Sequence, residues 1–255
     1  MVPIVLAYHR VGARRGIGIS HVTPSQLEDH LDALEDWGYR LGTLDEVLAE
    51  LIRPSSSERT VLLTFDDGTA DFLEHAWPVL RRWGARPVLF PVVGFLGRSN
   101  RWDPAPFRTR HLTWKELQHL AAEGVEIGAH SVTHPFLAHS SSSRVRREVY
   151  RSKVLLEERL GVSVRAFAYP YGDWSPEVAA TVAQAGFEVA FTMDPFLPAT
   201  PENRFSLPRV GIYRMDGRRR LGGKLGQLGD RTRRRLLLEA RWINRCSYAG
   251  RLFRH

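Results

Sequence analysis

Short apolar runs alternate with amphipathic stretches along almost the whole chain. Residues 3–7, 61–65, 87–91, 125–129, 165–168 and 188–191 have the length and the β-branched or aromatic content of strands, with weaker examples at 39–41 and 209–212. Between them apolar residues fall at helical spacing behind capping residues. Thr23-Pro24-Ser25 precedes Leu27, Leu31 and Leu34; Thr43 precedes Leu44, Val47, Leu48 and Leu51; Thr113 precedes Leu117 and Leu120. Further helices are expected from Ser142 or Ser143 and from Ser175-Pro176. Such alternation implies parallel strands joined by crossover helices, and this many units predicts an α/β fold closed into a (β/α) barrel, for which 255 residues is an ordinary length.

This pattern also sorts the polar residues. His9, Asp66, Asp67, His130, Tyr169 to Tyr171 and Asp194 all fall at or just past the C-terminal ends of expected strands, where barrels build their active sites. The stretch 94–110, rich in Pro, Trp and Arg, is long for a connection and reads as a lid or substrate loop, and Trp102 and the later Trp174 both fall in loops at that face.

Two motifs carry chemistry. In Thr64-Phe65-Asp66-Asp67-Gly68, adjacent carboxylates follow directly on the apolar Val61-Leu62-Leu63, a costly position unless a metal, a proton or a cation compensates it. In His130-Ser131-Val132-Thr133-His134, two imidazoles stand four apart behind another apolar run. One carboxylate and both imidazoles complete a three-ligand set for a divalent metal, with an open position for water and a second carboxylate left as base. Helix capping near Thr69 would account for one Asp and the Gly but not for the histidine pair. His21, His30, His75, His119 and His139 lack ligand spacing and read as solvated or helix-face residues, and no nucleophile elbow supports a Ser/His triad.

The net charge of +8 is unevenly spread. Residues 217–255 hold 12 Lys/Arg against 2 Asp/Glu, whereas residues 1–216 hold 24 against 26. The basic character therefore belongs to the tail, and no nucleic-acid partner is expected for the domain carrying the carboxylates. The expected division is a barrel over 1–216 and a basic, helical extension over 217–255. A lone cysteine, Cys246, gives no disulfide framework, and the opening residues show neither a signal peptide nor a membrane span, so a cytoplasmic location is expected.

Both motifs resemble the first two signatures of the NodB-homology polysaccharide deacetylases, carbohydrate esterase family four, over roughly residues 3–212. The resemblance implies metal-dependent N-deacetylation of an N-acetylated sugar in a distorted (β/α) barrel. Asp66 would be the general base, and Asp67, His130 and His134 would hold one divalent metal, zinc foremost, with cobalt, nickel or manganese as alternatives. A third motif, Phe167-Ala168-Tyr169-Pro170-Tyr171-Gly172, would supply the Tyr171 backbone N–H as oxyanion donor. Many relatives carry an arginine at the position of Ala168 to pair with the base; Arg209 is the expected replacement, with Arg165 second. No histidine occurs between His139 and His255, so the general acid of the usual late motif is missing. His9 in Tyr8-His9-Arg10-Val11 resembles its counterpart in the permuted branch that includes the poly-N-acetylglucosamine deacetylases.

Two other activities fit the same machinery, sugar O-deacetylation and deformylation, and a catalytically silent sugar-binding module is the rival from another class. In the tail, Leu236, Leu237, Ala240, Ile243 and Ser247 line one helical face, with Arg231, Arg234, Arg235, Arg241 and Arg245 mostly elsewhere and Trp242, Tyr248, Leu252 and Phe253 added. That pattern suits either a helix on an anionic membrane, peripheral at its inner surface, or a helix packed on the barrel with solvated arginines.

Overall fold

The computed structural model describes residues 3–12, 19–53, 59–100 and 108–252, with the side chains of the last helix as far as Asn244. Trp102 and Phe253 lie outside the described residues, as do the side chains of Arg245, Cys246, Ser247, Tyr248 and Leu252. The chain begins β1 (Ile4–Tyr8), β2 (Arg10–Val11), β3 (His21–Val22), α1 (Pro24–Asp36), β4 (Arg40–Leu41), α2 (Leu44–Ile52) and β5 (Thr60–Asp67). It continues α3 (Trp77–Arg82), β6 (Val88–Pro91), α4 (Trp114–Ala122), β7 (Glu126–Ile127), α5 (Ser142–Leu160), β8 (Ala166–Ala168), α6 (Pro176–Gln184) and β9 (Val189–Phe191). The last elements are β10 (Val210–Gly211), α7 (Arg218–Lys224) and α8 (Asp230–Leu252).

The expected barrel forms, and it is distorted. Parallel pairing runs β10-β1-β5-β6-β7, with Leu6 opposite both Leu63 and Val210. Among the described strands β8 forms a ladder with β9 alone. The ring closes at two narrow seams, through the parallel bridges Ala129 to Phe167 and Phe191 to Leu207. The small parallel pair of β2 and β3 was not expected, because two-residue strands leave no period to read.

Alternation along the strands divides the core. Val5, Leu62, Val88, Phe90, Ala166, Ala168, Val189 and Phe191 fill the barrel, plugged at its N-terminal end by Leu44, Val47 and Leu51 of α2. Their neighbours Leu6, Tyr8, Leu63, Phe65, Leu89 and Phe167 face outward and meet the helices. Each large apolar side chain so buried contributes roughly 1.5–3 kcal/mol. α1, α2 and α4 begin as expected: Thr23, Thr43 and Thr113 each close a capping box with Gln26, Glu46 or Glu116.

The basic tail folds onto the barrel. Leu221 and Leu225 join the outer core, and buried Lys224 pairs with buried Asp216 while donating to the Gly211 carbonyl at 2.7 Å. On α8 the apolar face Leu236, Leu237, Ala240 and Ile243 is buried, Ala240 and Ile243 against Tyr213. Of the two arrangements the pattern allowed, the packed one is adopted over these residues. His30, expected as a solvated or helix-face residue, lies on α1 but on its buried face: its Nδ1 accepts from the Tyr8 hydroxyl at 3.1 Å and its Nε2 donates to the Asp216 carbonyl. His21 is likewise buried.

Candidate active site

Inward-facing alternation on β5 continues from Leu62 through Thr64 to Asp66, which delivers a carboxylate into the top of the barrel. Asp66 is 2% exposed and Arg209 0%, and they meet in a two-pronged pair: Nη1 donates to Oδ1 at 2.7 Å and Nη2 to Oδ2 at 2.8 Å. The fork is further aimed by Nε donating to the Thr192 carbonyl at 3.1 Å and by Nη1 donating to the Thr64 hydroxyl at 3.2 Å. Arg209 also lies over the Phe90 ring, its guanidinium carbon 5.6 Å from the centroid. Ala168 belongs to the same interior cluster as Phe90, so the small side chain at that position is matched by a guanidinium entering from the residue just before β10. Arg165, the second candidate, points elsewhere and pairs with Glu126 and Asp45. Burial alone would raise the Asp66 pKa, but Arg209, His130 and His9 overcome it and hold the group at about 2. Asp66 is therefore ionised at any ordinary pH. His9, past the end of β1, brings its Nε2 to 3.9 Å from Oδ2 of Asp66 and is partly exposed.

Beside this pair stand Asp67, His130 and His134, whose ligating atoms all lie within 4.8 Å of one another. Asp67 Oδ1 is 3.3 Å from His134 Nε2 and 3.7 Å from His130 Nε2, and the two imidazole nitrogens are 3.2 Å apart. Among the described residues this is the one group of three or more with the geometry to hold a metal. The donor chemistry fits a divalent cation. His130 Nδ1–H donates to the Ala168 carbonyl at 2.7 Å, which leaves the Nε2 lone pair facing its partners. Burial, against the pull of Asp66, also lowers the His130 pKa to about 4, so the neutral imidazole required of a ligand is the form present.

Backbone strain is concentrated here. The non-glycine residues with positive φ among the described residues are Asp67 (70°), Ser131 (64°), His134 (60°) and Tyr171 (59°), each costing about 1–3 kcal/mol in general and retained where structure over-determines it. Gly68 shows why the first motif ends in glycine: φ is +68°, and a Cβ there would sit 2.7 Å from Cα of Pro91. The histidine turn is held from below by Glu148 of α5. Its carboxylate accepts from the Val132 and Thr133 backbone N–H groups, both at 2.8 Å, and from the Thr133 hydroxyl at 2.6 Å. The sequence reading missed Glu148; its signal is a carboxylate on the apolar Val145, Val149 and Leu156 face of α5.

The third motif lies alongside. Tyr171 stacks on Phe136 with centroids 4.2 Å apart and meets the His134 ring edge-on at 4.4 Å, so its ring lies against the histidine turn. Trp174 packs partly buried near Tyr169, and Asp194 pairs with Arg241 of α8 at 2.9 Å. The structure thus brings Asp66, Asp67, His9, His130, His134, Tyr171 and Arg209 to one end of the barrel.

The chain matches the polysaccharide deacetylase family over residues 53–190. It is 25% identical over 209 residues to the polysaccharide-deacetylase-like YxkH of Bacillus subtilis, spanning 82% of this chain and 70% of that protein. Over 202 residues it is 23% identical to the poly-beta-1,6-N-acetyl-D-glucosamine N-deacetylase of Staphylococcus aureus, 75% of this chain and 67% of that one. IcaB from Ammonifex degensii shares the fold with a TM-score of 0.70 and 26% identity, covering 82% of this chain and 91% of IcaB. The chain belongs to the polysaccharide deacetylases, hydrolases that use a divalent metal, and its Asp-His-His cluster is suited to hold one.

Proposed function

We propose that the protein hydrolyses the acetamide of an N-acetylated hexosamine in a glycan or lipid-linked conjugate, releasing acetate and a free amine. The observation that carries this reading is the Asp66 carboxylate, buried, ionised and aimed by Arg209, set beside a three-ligand cluster with His9 3.9 Å away. A binding module needs neither an aimed base nor a ligand set.

In this reading Asp67, His130 and His134 would hold zinc, and a divalent cation there would supply Lewis acidity towards a carbonyl and lower the pKa of a water towards ~7. Asp66 removes the proton from the attacking water. Its carboxylate stays in place because Arg209 occupies both oxygens from the barrel side. The Tyr171 backbone N–H donates to the oxygen that becomes negative as the carbonyl turns tetrahedral, a donor that side-chain change does not remove. His9, partly open to solvent and beside Asp66, gives a proton to the departing amine.

Acetate release by chelated protein resupplied with zinc or cobalt tests the reading, with β-1,6-linked N-acetylglucosamine oligomers, lipid-linked N-acetylhexosamine and an O-acetylated sugar as substrates. Release from an N-acetylated substrate and its loss in Asp66→Asn are expected. Release from the O-acetylated sugar alone would assign the esterase alternative, and binding without release the silent module.

The proposed partner surface is the outer face of α8. Opposite the buried residues stand Arg231, Arg234, Arg235, Leu238 and Trp242, all exposed. Three cations with two apolar side chains suit the anionic headgroups of an inner membrane leaflet, about 1 kcal/mol per basic residue. Sedimentation with phosphatidylglycerol vesicles at low salt, lost in the Leu238→Ser/Trp242→Ser variant, is the expected result.

A further inference from the structure

The loop carrying Tyr171 is tied to a helix from the far end of the chain. Asn244 on α8 donates its side-chain Nδ2–H to the Tyr171 carbonyl at 3.1 Å. The other end of that same peptide is fixed too, since the Gly172 N–H donates to the Tyr169 carbonyl at 2.8 Å. Pro170 limits the preceding φ, and Tyr171 itself sits in the left-handed region at φ 59°, ψ 7°. With the following peptide plane pinned at both its C=O and its N–H, the strained Tyr171 torsions have little freedom, and they set where the Tyr171 N–H points.

α8 is a firm anchor for such a tether. Its buried residues Ala240 and Ile243 pack on Tyr213, whose hydroxyl donates to the Ala240 carbonyl at 3.2 Å. One turn before Asn244, Arg241 pairs with Asp194 at 2.9 Å, which ties the helix to the segment after β9. Asn244 and Tyr171 also border a cleft of about 320 Å³ together with Trp174 and Asp194. Water entering that cleft can satisfy the Tyr171 carbonyl if the amide is removed, but water bound there is not attached to a helix.

We propose that Asn244 is a positioning residue for catalysis: through the Tyr171 carbonyl it holds the Tyr171 N–H in the direction required of the oxyanion donor, making the basic C-terminal helix part of the catalytic apparatus. This rests on the reading of Tyr171 as that donor. It departs from a division in which residues 217–255 are an appendage to the site.

Asn244→Ala and the isosteric Asn244→Asp, which puts an acceptor where the donor was, test it in the full-length zinc-loaded protein. Four quantities are read: kcat and KM for acetate release, zinc affinity by calorimetry, the thermal midpoint, and hydrogen exchange at the Gly172 amide. The expected result is kcat lower by about tenfold, a fraction of the loss on deleting an oxyanion donor outright. KM, zinc affinity and midpoint stay near wild type, and Gly172 exchange quickens while exchange in β5 does not. Unchanged Gly172 exchange in both variants would overturn the tether itself. Faster exchange with unchanged kcat would show the tether to be real and overturn the assignment of Tyr171 as donor, and with it the catalytic role of Asn244.

Discussion

Arg209 holds both carboxylate oxygens of Asp66 in a barrel interior closed to solvent, at 2.7 and 2.8 Å. A pair of this kind is fixed by mutual need, because either ion left alone would be a buried, uncompensated charge. Arg209→Met should therefore destabilise the fold by about 3–5 kcal/mol. Adding Asp66→Asn to it should restore most of that loss, since no ion then remains to be compensated. Urea unfolding of the single and double variants measures both, and additive losses would contradict the coupling.

Metal binding and turnover should separate by residue. His134→Ala removes one of three ligands and should abolish tight zinc binding in a calorimetric titration. Asp66→Asn should bind zinc as wild type does while losing at least ~10²-fold in kcat, the scale of a missing general base. Full zinc occupancy in His134→Ala would place the metal elsewhere.

His9 should matter in proportion to how much the departing amine needs a proton. His9→Ala is expected to lower kcat on an N-acetylhexosamine by ~10²-fold or more. On an aryl acetamide, whose amine leaves more readily, the loss should be smaller. Equal losses on both substrates would remove His9 from the role of acid.

Acid should weaken the fold from near neutrality, and His30 should account for part of it. Burial lowers the His30 pKa below its usual 6.5, with the Asp216 carbonyl opposing only in part. As pH falls through 6.5 the unfolded chain takes up this proton first, so the stability present above that value is lost on the acid side. The slope attributable to one such group reaches at most ~1.4 kcal/mol per pH unit. Metal-free wild type and His30→Gln, unfolded in urea from pH 7.5 to about 5, should diverge, the variant losing stability more gradually. Parallel curves would mean that the imidazole is protonated in the fold.

Much of this architecture is visible in the sequence because its signals are local. The alternation of runs gives the barrel, and three threonines give the helix starts, each by contacts spanning only three residues. Asp66, Asp67, His130 and His134 stand out because adjacent carboxylates and paired imidazoles behind apolar runs have few other uses. Arg209 was accessible through an absence, the alanine at 168 where a cation was required. The structure adds what lies between distant parts of the chain. Asn244 is 73 positions from Tyr171, Glu148 is 16 from Val132, and His30 is 186 from Asp216. No period or motif joins such residues; only the packing of α5, α7 and α8 does. The face of α8 was legible as apolar, but its destination was not, because a helix stripe looks alike whether it meets lipid or its own core.

The seam between β7 and β8 gives the site a mechanical dimension. Ala129 and Phe167 form its one bridge, with hydrogen bonds from Ala129 N–H to Ala166 and from Ala168 N–H to Ala129, both 2.9 Å. The next link upward is the His130 imidazole, reaching across to the Ala168 carbonyl. A side chain thus finishes a stitch line that backbone leaves short. If the barrel breathes along this line, His130 loses the acceptor that holds its tautomer, and its ligating nitrogen becomes free to take the proton instead. Parting of the wall and loss of the ligand's fixed tautomer are then one event.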